Sequence, residues 1–188
     1  MKFKANSHDI EKSEISKPHV KYWYAVYVQS RYEKKVHQLF EEKGIESSLP
    51  LIKTIRKWSD RNKKVEIPLF RGYVFVKIDI RKDKLNILQT NGVVKFIGIR
   101  NKPSIIPDEE IHWVHMMVEK SDIVQSEAEI PVGQKVRVIA GPFKGVEGVV
   151  VRAGNQYRLV VVIESIMQAV SVEIRSNYLE KIKKQAIL

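Results

Sequence analysis

The sequence predicts an α+β protein: an α/β sandwich over residues 21–120, then a small β-barrel over residues 132–184. Three observations carry this. Trp23-Tyr24-Ala25-Val26-Tyr27-Val28 is apolar throughout and β-rich, as suits a strand buried on both faces. Elsewhere apolar residues recur at helical spacing: Val36, Leu39 and Phe40, and later Ile111, Val114 and Val118. After residue 131 that period disappears, and short runs such as Leu159-Val160-Val161-Val162-Ile163 alternate with turns. This reads as about five strands of a small barrel.

Each element has a local reason. Residues 1–20 are polar and without period, and read as a flexible tail. After the first strand Ser30 can cap a helix, with Glu33 three residues on as in a capping box, and Gly44 stops it. A strand is expected from about Ser48 to Arg56. Ser59-Asp60-Arg61-Asn62 is a turn signal, and Lys63 to Pro68 returns, making a hairpin. Leu69 to Ile80 reads as a second strong strand containing Gly72. A short helix covers roughly Lys82 to Thr90, Asn91-Gly92 turns into a strand from Val93 to Ile99, and Pro107-Asp108-Glu109-Glu110 opens a third helix. Residues 121–131 are acidic, lack a strong period and end in Pro131; they read as a linker.

The charge narrows the partners. The chain has 188 residues, with 33 Lys and Arg against 22 Asp and Glu, a formal net charge of +11. The excess is uneven: residues 22–104 and 131–188 are basic, and residues 105–130 are acidic. A basic body favours a polyanion, because each phosphate neutralised releases counterions. Cysteine is absent, which excludes disulfides, thiolate metal sites and a cysteine nucleophile. The longest uninterrupted apolar run, Leu159 to Ile163, is far too short for a membrane span. A cytoplasmic protein is the expectation, with no membrane partner.

Two motifs stand out. Gly133 to Val150 holds Gly141, Gly145 and Gly148 within eight residues, with Pro142 between the first two. Glycine there permits positive φ in tight turns. This segment resembles a KOW motif; neither spacing of a glycine-rich phosphate cradle is present. Leu69-Phe70-Arg71-Gly72-Tyr73-Val74-Phe75-Val76 is the second. Alternation puts Tyr73 and Phe75 on the face opposite Val74 and Val76, either as core under a helix or as a bare docking surface. The hairpin from Lys53 to Lys64 holds six basic residues, one acid and Trp58, a composition suited to nucleic acid. His112 and His115 stand three apart with no third ligand on that face, so packing is the better reading. No Ser-His-Asp set, carboxylate pair or nucleotide fingerprint is visible, and neither an enzyme nor a cofactor or metal is expected.

The two motifs in this order, after an opening Trp-Tyr strand, resemble the NusG family of transcription elongation factors, from about Trp23 to Ile182. Leu69 to Phe75 is similar to that family's LFPGYVF signature, and Gly133 to Val150 to its KOW segment. Ser104-Ile105-Ile106-Pro107 followed by Ile111 is similar to the approach to the last N-terminal helix. Trp23-Tyr24-Ala25-Val26-Tyr27, Pro68-Leu69-Phe70 and Asn91-Gly92-Val93 most resemble the specialised RfaH and UpxY paralogues.

The resemblance implies an N-terminal domain with a central antiparallel sheet, linked to an SH3-like barrel, acting in antitermination on a specific operon; the alternatives are a general elongation factor of the same family and a ribosome- or RNA-binding protein that uses the barrel on structured RNA. It implies docking on the clamp helices of RNA polymerase through Trp23, Phe70, Tyr73, Phe75, Ile99 and Ile111. It implies contact with the non-template DNA strand through Gln29, Ser30, Arg31, Tyr32, Lys34, Lys35, Thr90 and Asn91. The barrel would offer Ile166 and Met167 to a ribosomal protein or termination factor; these replace the family's usual Phe-Gly. Arg71 stands where the family usually has Pro, adding charge beside the docking patch. Asp83-Lys84-Leu85-Asn86 replaces the paralogues' Thr-rich segment. Four β-branched residues among Leu159 to Ile163 disfavour a helical form of this segment, so a constitutive barrel on a flexible tether is expected. The docking assignment requires the aromatic face to be bare.

Overall fold

The computed structural model describes residues 20–57, 62–100, 102–120, 125–127, 133–153 and 156–182. The expected tail at 1–19, the hairpin tip with Trp58 and most of the linker lie outside them. The elements run β1 (Tyr22–Val28), α1 (Glu33–Glu42), β2 (Ser47–Ser48), β3 (Leu51–Lys57), β4 (Asn62–Pro68), β5 (Tyr73–Ile78), α2 (Ile80–Leu88), β6 (Val93–Phe96), β7 (Gly98–Ile99), β8 (Lys102–Pro103), α3 (Asp108–Lys120), β9 (Gln125–Glu127), β10 (Gln134–Val138), β11 (Glu147–Ala153), β12 (Gln156–Ile163), β13 (Gln168–Ile174) and β14 (Leu179–Lys181).

The N-terminal sheet has the order β2-β5-β1-β6 and is antiparallel throughout. Pairing Ala25 with Phe75 and Val26 with Val74 fixes its two faces. Tyr24, Val26, Val28, Val74, Val76 and Ile78 share one face, packed with Val36 and Phe40 of α1 and Ile87 of α2. Trp23, Ala25 and Phe75 share the other, packed with Ile111, Val114 and Met117 of α3. The expected buried strand is therefore covered on both sides. β3 and β4 form the expected hairpin as a separate two-stranded sheet, with Lys53 opposite Glu66.

Boundaries differ from expectation where side chains or turns intervene. The helix after β1 starts at Glu33, and no side chain caps its N-terminus. The Glu33 carboxylate instead accepts a hydrogen bond from the Gly72 amide at 2.8 Å, so the expected Ser30–Glu33 capping box does not form. Gly44, at φ 67°, closes α1 as expected. Leu69 to Gly72 is a turn rather than strand, because Gly72 takes φ 81° and breaks the extended run. α2 begins two residues earlier than expected, where the Asp79 side chain accepts from the Arg81 amide.

The second sheet has six strands in the order β14-β10-β11-β12-β13-β9. Leu159, Val161, Ile163, Val170 and Val172 line its core, and the β-branched run at β12 forms strand, as its stereochemistry favours. β9 comes from within the expected linker and pairs antiparallel with β13, Ser126 opposite Val170. The tether is thus partly built into the barrel sheet, contrary to the expectation for residues 121–131.

Two of the three glycines in the turn-rich segment have the expected conformation, Gly141 at φ 81° and Gly145 at φ 94°. Gly148 has a different reason to be glycine. It lies in β11, where a Cβ would meet the Val160 carbonyl oxygen at about 2.4 Å. A side chain at Gly145 would meet nothing within 4 Å. Gly145→Ala is therefore expected to cost about 1 kcal/mol, the left-handed penalty alone, and Gly148→Ala about 3 kcal/mol, because strand backbone must shift. Urea denaturation of the two variants checks the order; equal losses would contradict the close-approach argument.

Candidate functional sites: a covered apolar face and a basic edge

The first site begins with the aromatic face of β5. Phe70 and Phe75 stack edge to face with ring centres 5.8 Å apart, and Phe75 is fully buried. Trp23 and Ile111 are buried in the same cluster. The expectation that these rings form a bare docking surface is corrected: Trp23, Phe70, Phe75 and Ile111 are core. Alternation puts Tyr73 and Phe75 on one face, the β1–β5 register adds Trp23 to it, and α3 closes over it with Ile111. Lys77 Nζ lies 5.7 Å from the Trp23 ring centre and 2.9 Å from Asp108 Oδ2, tying the α3 N-terminus to that edge. Tyr73 is half-buried against the cluster, and its ring meets Tyr27 edge to face. Ile99 alone of the expected set is open, 74% exposed, with Ile105 also exposed near it.

The apolar cluster does not end at α3. It continues through Trp113 and Met116 to Val138, Phe143, Leu159, Val161, Ile163 and Ile166 of the barrel. Lys120 Nζ donates to the Pro142 carbonyl oxygen at 3.1 Å. The barrel therefore packs on α3, contrary to the expected free tether. Beside this contact a cavity of about 810 Å³ lies between Ile99, Ile105 and Trp113 on one side and Val149, Val162 and Met167 on the other. Glu110, one helical turn before Trp113, has a buried Oε2 with no hydrogen-bond partner. Burial, then repulsion from Glu164 of the barrel and from Glu109, pushes its carboxyl up to about 7.

The barrel residues expected to bind a partner are separated. Ile166 is buried core, because it turns inward from the 3₁₀ turn at Glu164–Ile166. Met167 takes a left-handed φ of 53° and is 69% exposed, at the rim of the interdomain cavity.

The second site is the edge formed by the β1–α1 turn and the turn after α2. The Gln29 amide donates to the Gly92 carbonyl at 2.8 Å, and a Cβ on Gly92 would meet the Tyr32 ring at 2.7 Å. Gln29, Ser30, Arg31, Tyr32, Lys34, Lys35 and Asn91 are thereby gathered at one exposed edge. Thr90 is the exception: it is buried, its hydroxyl donating to the Asn86 carbonyl and accepting from Lys43 Nζ at 2.7 Å. Its expected contact with nucleic acid is corrected to an internal brace between α1 and α2. Sequence reading missed Lys43 in this brace; nothing in its spacing marks a contact 47 residues away. It also placed Arg71 beside the docking patch, whereas Arg71 lines a cleft with Ser30, Arg31 and Lys34.

His115 Nε2 lies 2.8 Å from Ser48 Oγ, and burial lowers the imidazole's affinity for a proton. That is a packing role. Among the described residues no group of three His, Asp or Glu side chains could hold a metal, and no helix is long and apolar enough to cross a membrane.

Comparison with known proteins agrees with this architecture. The family described as "Transcription termination factor nusG" matches residues 21–115, and the KOW motif matches residues 132–153. The chain is 27% identical over 180 residues to the transcription termination/antitermination protein NusG of Borreliella burgdorferi, covering 85% of this chain and 98% of that one. It is 29% identical to the protein of that name from Neisseria meningitidis, covering 86% and 98%. A solved structure titled "Domain interaction in Thermotoga maritima NusG" is similar at a TM-score of 0.50 and 25% identity, covering 87% of this chain and 98% of that one. With its N-terminal sheet, its KOW barrel and a family match across half its length, this chain belongs to the NusG family of transcription termination/antitermination factors.

Proposed function

We propose that this protein binds elongating RNA polymerase through the apolar face beside α3 and suppresses pausing and termination. The observation that carries the reading is that this face is apolar beyond what the N-terminal core needs. Ile99, Ile105 and Trp113 border a cavity whose far wall is the barrel. Exposed apolar surface of that kind marks a macromolecular contact. Departure of the barrel from α3 would enlarge it. Tyr73 would extend the contact at its edge. The edge of Gln29, Arg31, Tyr32, Lys34, Lys35 and Asn91 would hold the non-template DNA strand, cations on phosphates and Tyr32 on a base. Differential binding then stabilises one polymerase conformation. The role places the protein in the cytoplasm, with no enzymatic step, and leaves Met167 for a barrel partner such as a ribosomal protein or termination factor.

Two scopes are distinguished by measurement. Action on one operon rests on the Trp-Tyr strand and Asn-Gly-Val resemblances; a general role rests on the names of the full-length relatives. Polymerase occupancy mapped with and without the protein gives a local change in the first case and a genome-wide one in the second.

Ile99→Asp together with Ile105→Asp is expected to weaken retention on polymerase about 30-fold, the effect of losing an anchor contact of about 2 kcal/mol, and to abolish read-through. Undiminished retention would rule out this face.

The contact between barrel and α3 should respond to pH through Glu110. Its carboxyl is raised in the packed state to about 7, so packing favours the protonated form. The packed arrangement is then most stable at low pH and weakens as pH rises through about 7. Glu110→Gln should hold the domains together at pH 8 and remove that dependence. Energy transfer between dyes on the two domains checks it; a flat wild-type response from pH 6 to 8 would contradict the assignment.

A further inference from the structure

We propose that the cavity between α3 and the barrel is a binding site for a small organic amine with an apolar body, its ammonium group held by Glu164 and Glu110. The site is formed only while the barrel packs on α3, so its ligand holds that packed arrangement. Its effect on polymerase binding rests on the reading above; the site itself does not.

Size is the first argument. The cavity measures about 810 Å³. Small-molecule sites occupy roughly 300–1,000 Å³ and are common at domain interfaces. Well-packed protein surfaces leave few gaps larger than a water molecule. The walls are apolar on both sides, with Ile99, Ile105 and Trp113 on one and Val149, Val162 and Met167 on the other. They suit a hydrocarbon or aromatic body, whose burial is favourable.

Charge decides the class of ligand. Three charged side chains line the cavity, Lys135, Glu147 and Glu164. Glu147 is already partnered: Arg137 Nε donates to its Oε1 at 2.7 Å. Among the described residues Glu164 has no basic side chain within 4.0 Å. It stands close enough to Glu110 to repel it. Glu110 and Trp113 are three apart on α3 and so are neighbours on its surface. Glu110 thus lies beside the ring that lines the cavity, and its Oε2 is buried without a hydrogen-bond partner. Two carboxylates without a cation meet here, whereas the one cation of the lining, Lys135, is exposed to solvent. An ammonium group satisfies both acids through charge-assisted hydrogen bonds, and a tryptophan ring is the best aromatic neighbour for it.

Ligand and domain contact are linked. The lining comes from both domains, so binding requires the packed arrangement and stabilises it as the logarithm of ligand excess. It also offsets the repulsion between Glu110 and Glu164 that opposes packing. Ile99 and Ile105, assigned above to polymerase, lie under the ligand. An amine in this cavity therefore withholds the protein from polymerase.

The test uses the full chain at about pH 7 and three matched probes, octylamine, octanol and octanoate, titrated calorimetrically. Octylamine should bind about tenfold more tightly than octanol, the gain expected from a hydrogen bond to a charged group. It should also raise energy transfer between dyes on the two domains. Glu164→Gln and Glu110→Gln should each bring its affinity down towards that of octanol. Both variants relieve repulsion, so their melting temperatures and energy transfer should match or exceed those of the wild type. A lost amine preference there cannot be laid to an opened cavity. Equal binding of octylamine and octanol, or an amine preference unchanged in both variants, overturns the proposal. Tightest binding of octanoate also overturns it and assigns the cavity to an anion on Lys135, and failure of all three probes to bind overturns it outright. Retention on polymerase is a separate arm. If octylamine binds with the expected preference and raises energy transfer while retention is undiminished, the amine site stands and the polymerase face assigned above fails.

Discussion

The structure depends on α3 being apolar on two sides. Ile111, Val114 and Met117 are buried in one apolar cluster that holds residues of both the N-terminal sheet and the barrel, and Trp113 and Met116 pack against it. A helix that serves two cores couples them. Its first turn holds Asp108, Glu109 and Glu110, which suits the positive end of the helix dipole. Asp108 finds Lys77 there, and Glu110 finds only Glu164 and a buried, unsatisfied position. The interface therefore combines apolar attraction with one unfavourable carboxylate.

This arrangement explains what was legible in the sequence and what was not. Strand alternation places Tyr73 and Phe75 on a common face from the sequence alone, and only the register of β1 with β5 adds Trp23 to it. Whether that face is covered depends on where α3 lies, and α3 is distant in sequence. Its stripe at Ile111, Val114 and Val118 reveals an amphipathic helix and says nothing about which sheet face it meets. The same limit applies to Thr90, whose partner Lys43 stands at the end of α1, 47 residues away. Local signals fared well where the determinant is local: Gly44 ends α1, and the β-branched run at β12 forms strand. They failed where a side chain chose a distant partner, as Glu33 did in bonding Gly72 rather than its own helix.

The KOW segment makes the same distinction inside one motif. Gly141 and Gly145 follow from turn stereochemistry, which a sequence displays. Gly148 follows from the closeness of a neighbouring strand, which it does not. Arg71 is the counterpart at the surface. As a departure from a family pattern it reads as charge beside an apolar patch, and the turn forced by Gly72 aims it into a different neighbourhood.

The two surfaces are kept apart by the first sheet itself. The apolar side chains Ile99, Ile105 and Trp113 gather on the α3 face. Cations fall around the start of α1, on the helix that packs the opposite face. Desolvating charge is costly and desolvating apolar surface is favourable, so placing a sheet between apolar side chains and cations lets each keep the surroundings that suit it. Pairing of β1 with both β5 and β6 makes that sheet stiff. The Gly72 turn ends on one of these strands and the Gly92 turn on the other, so the basic edge is held in fixed register with the apolar face.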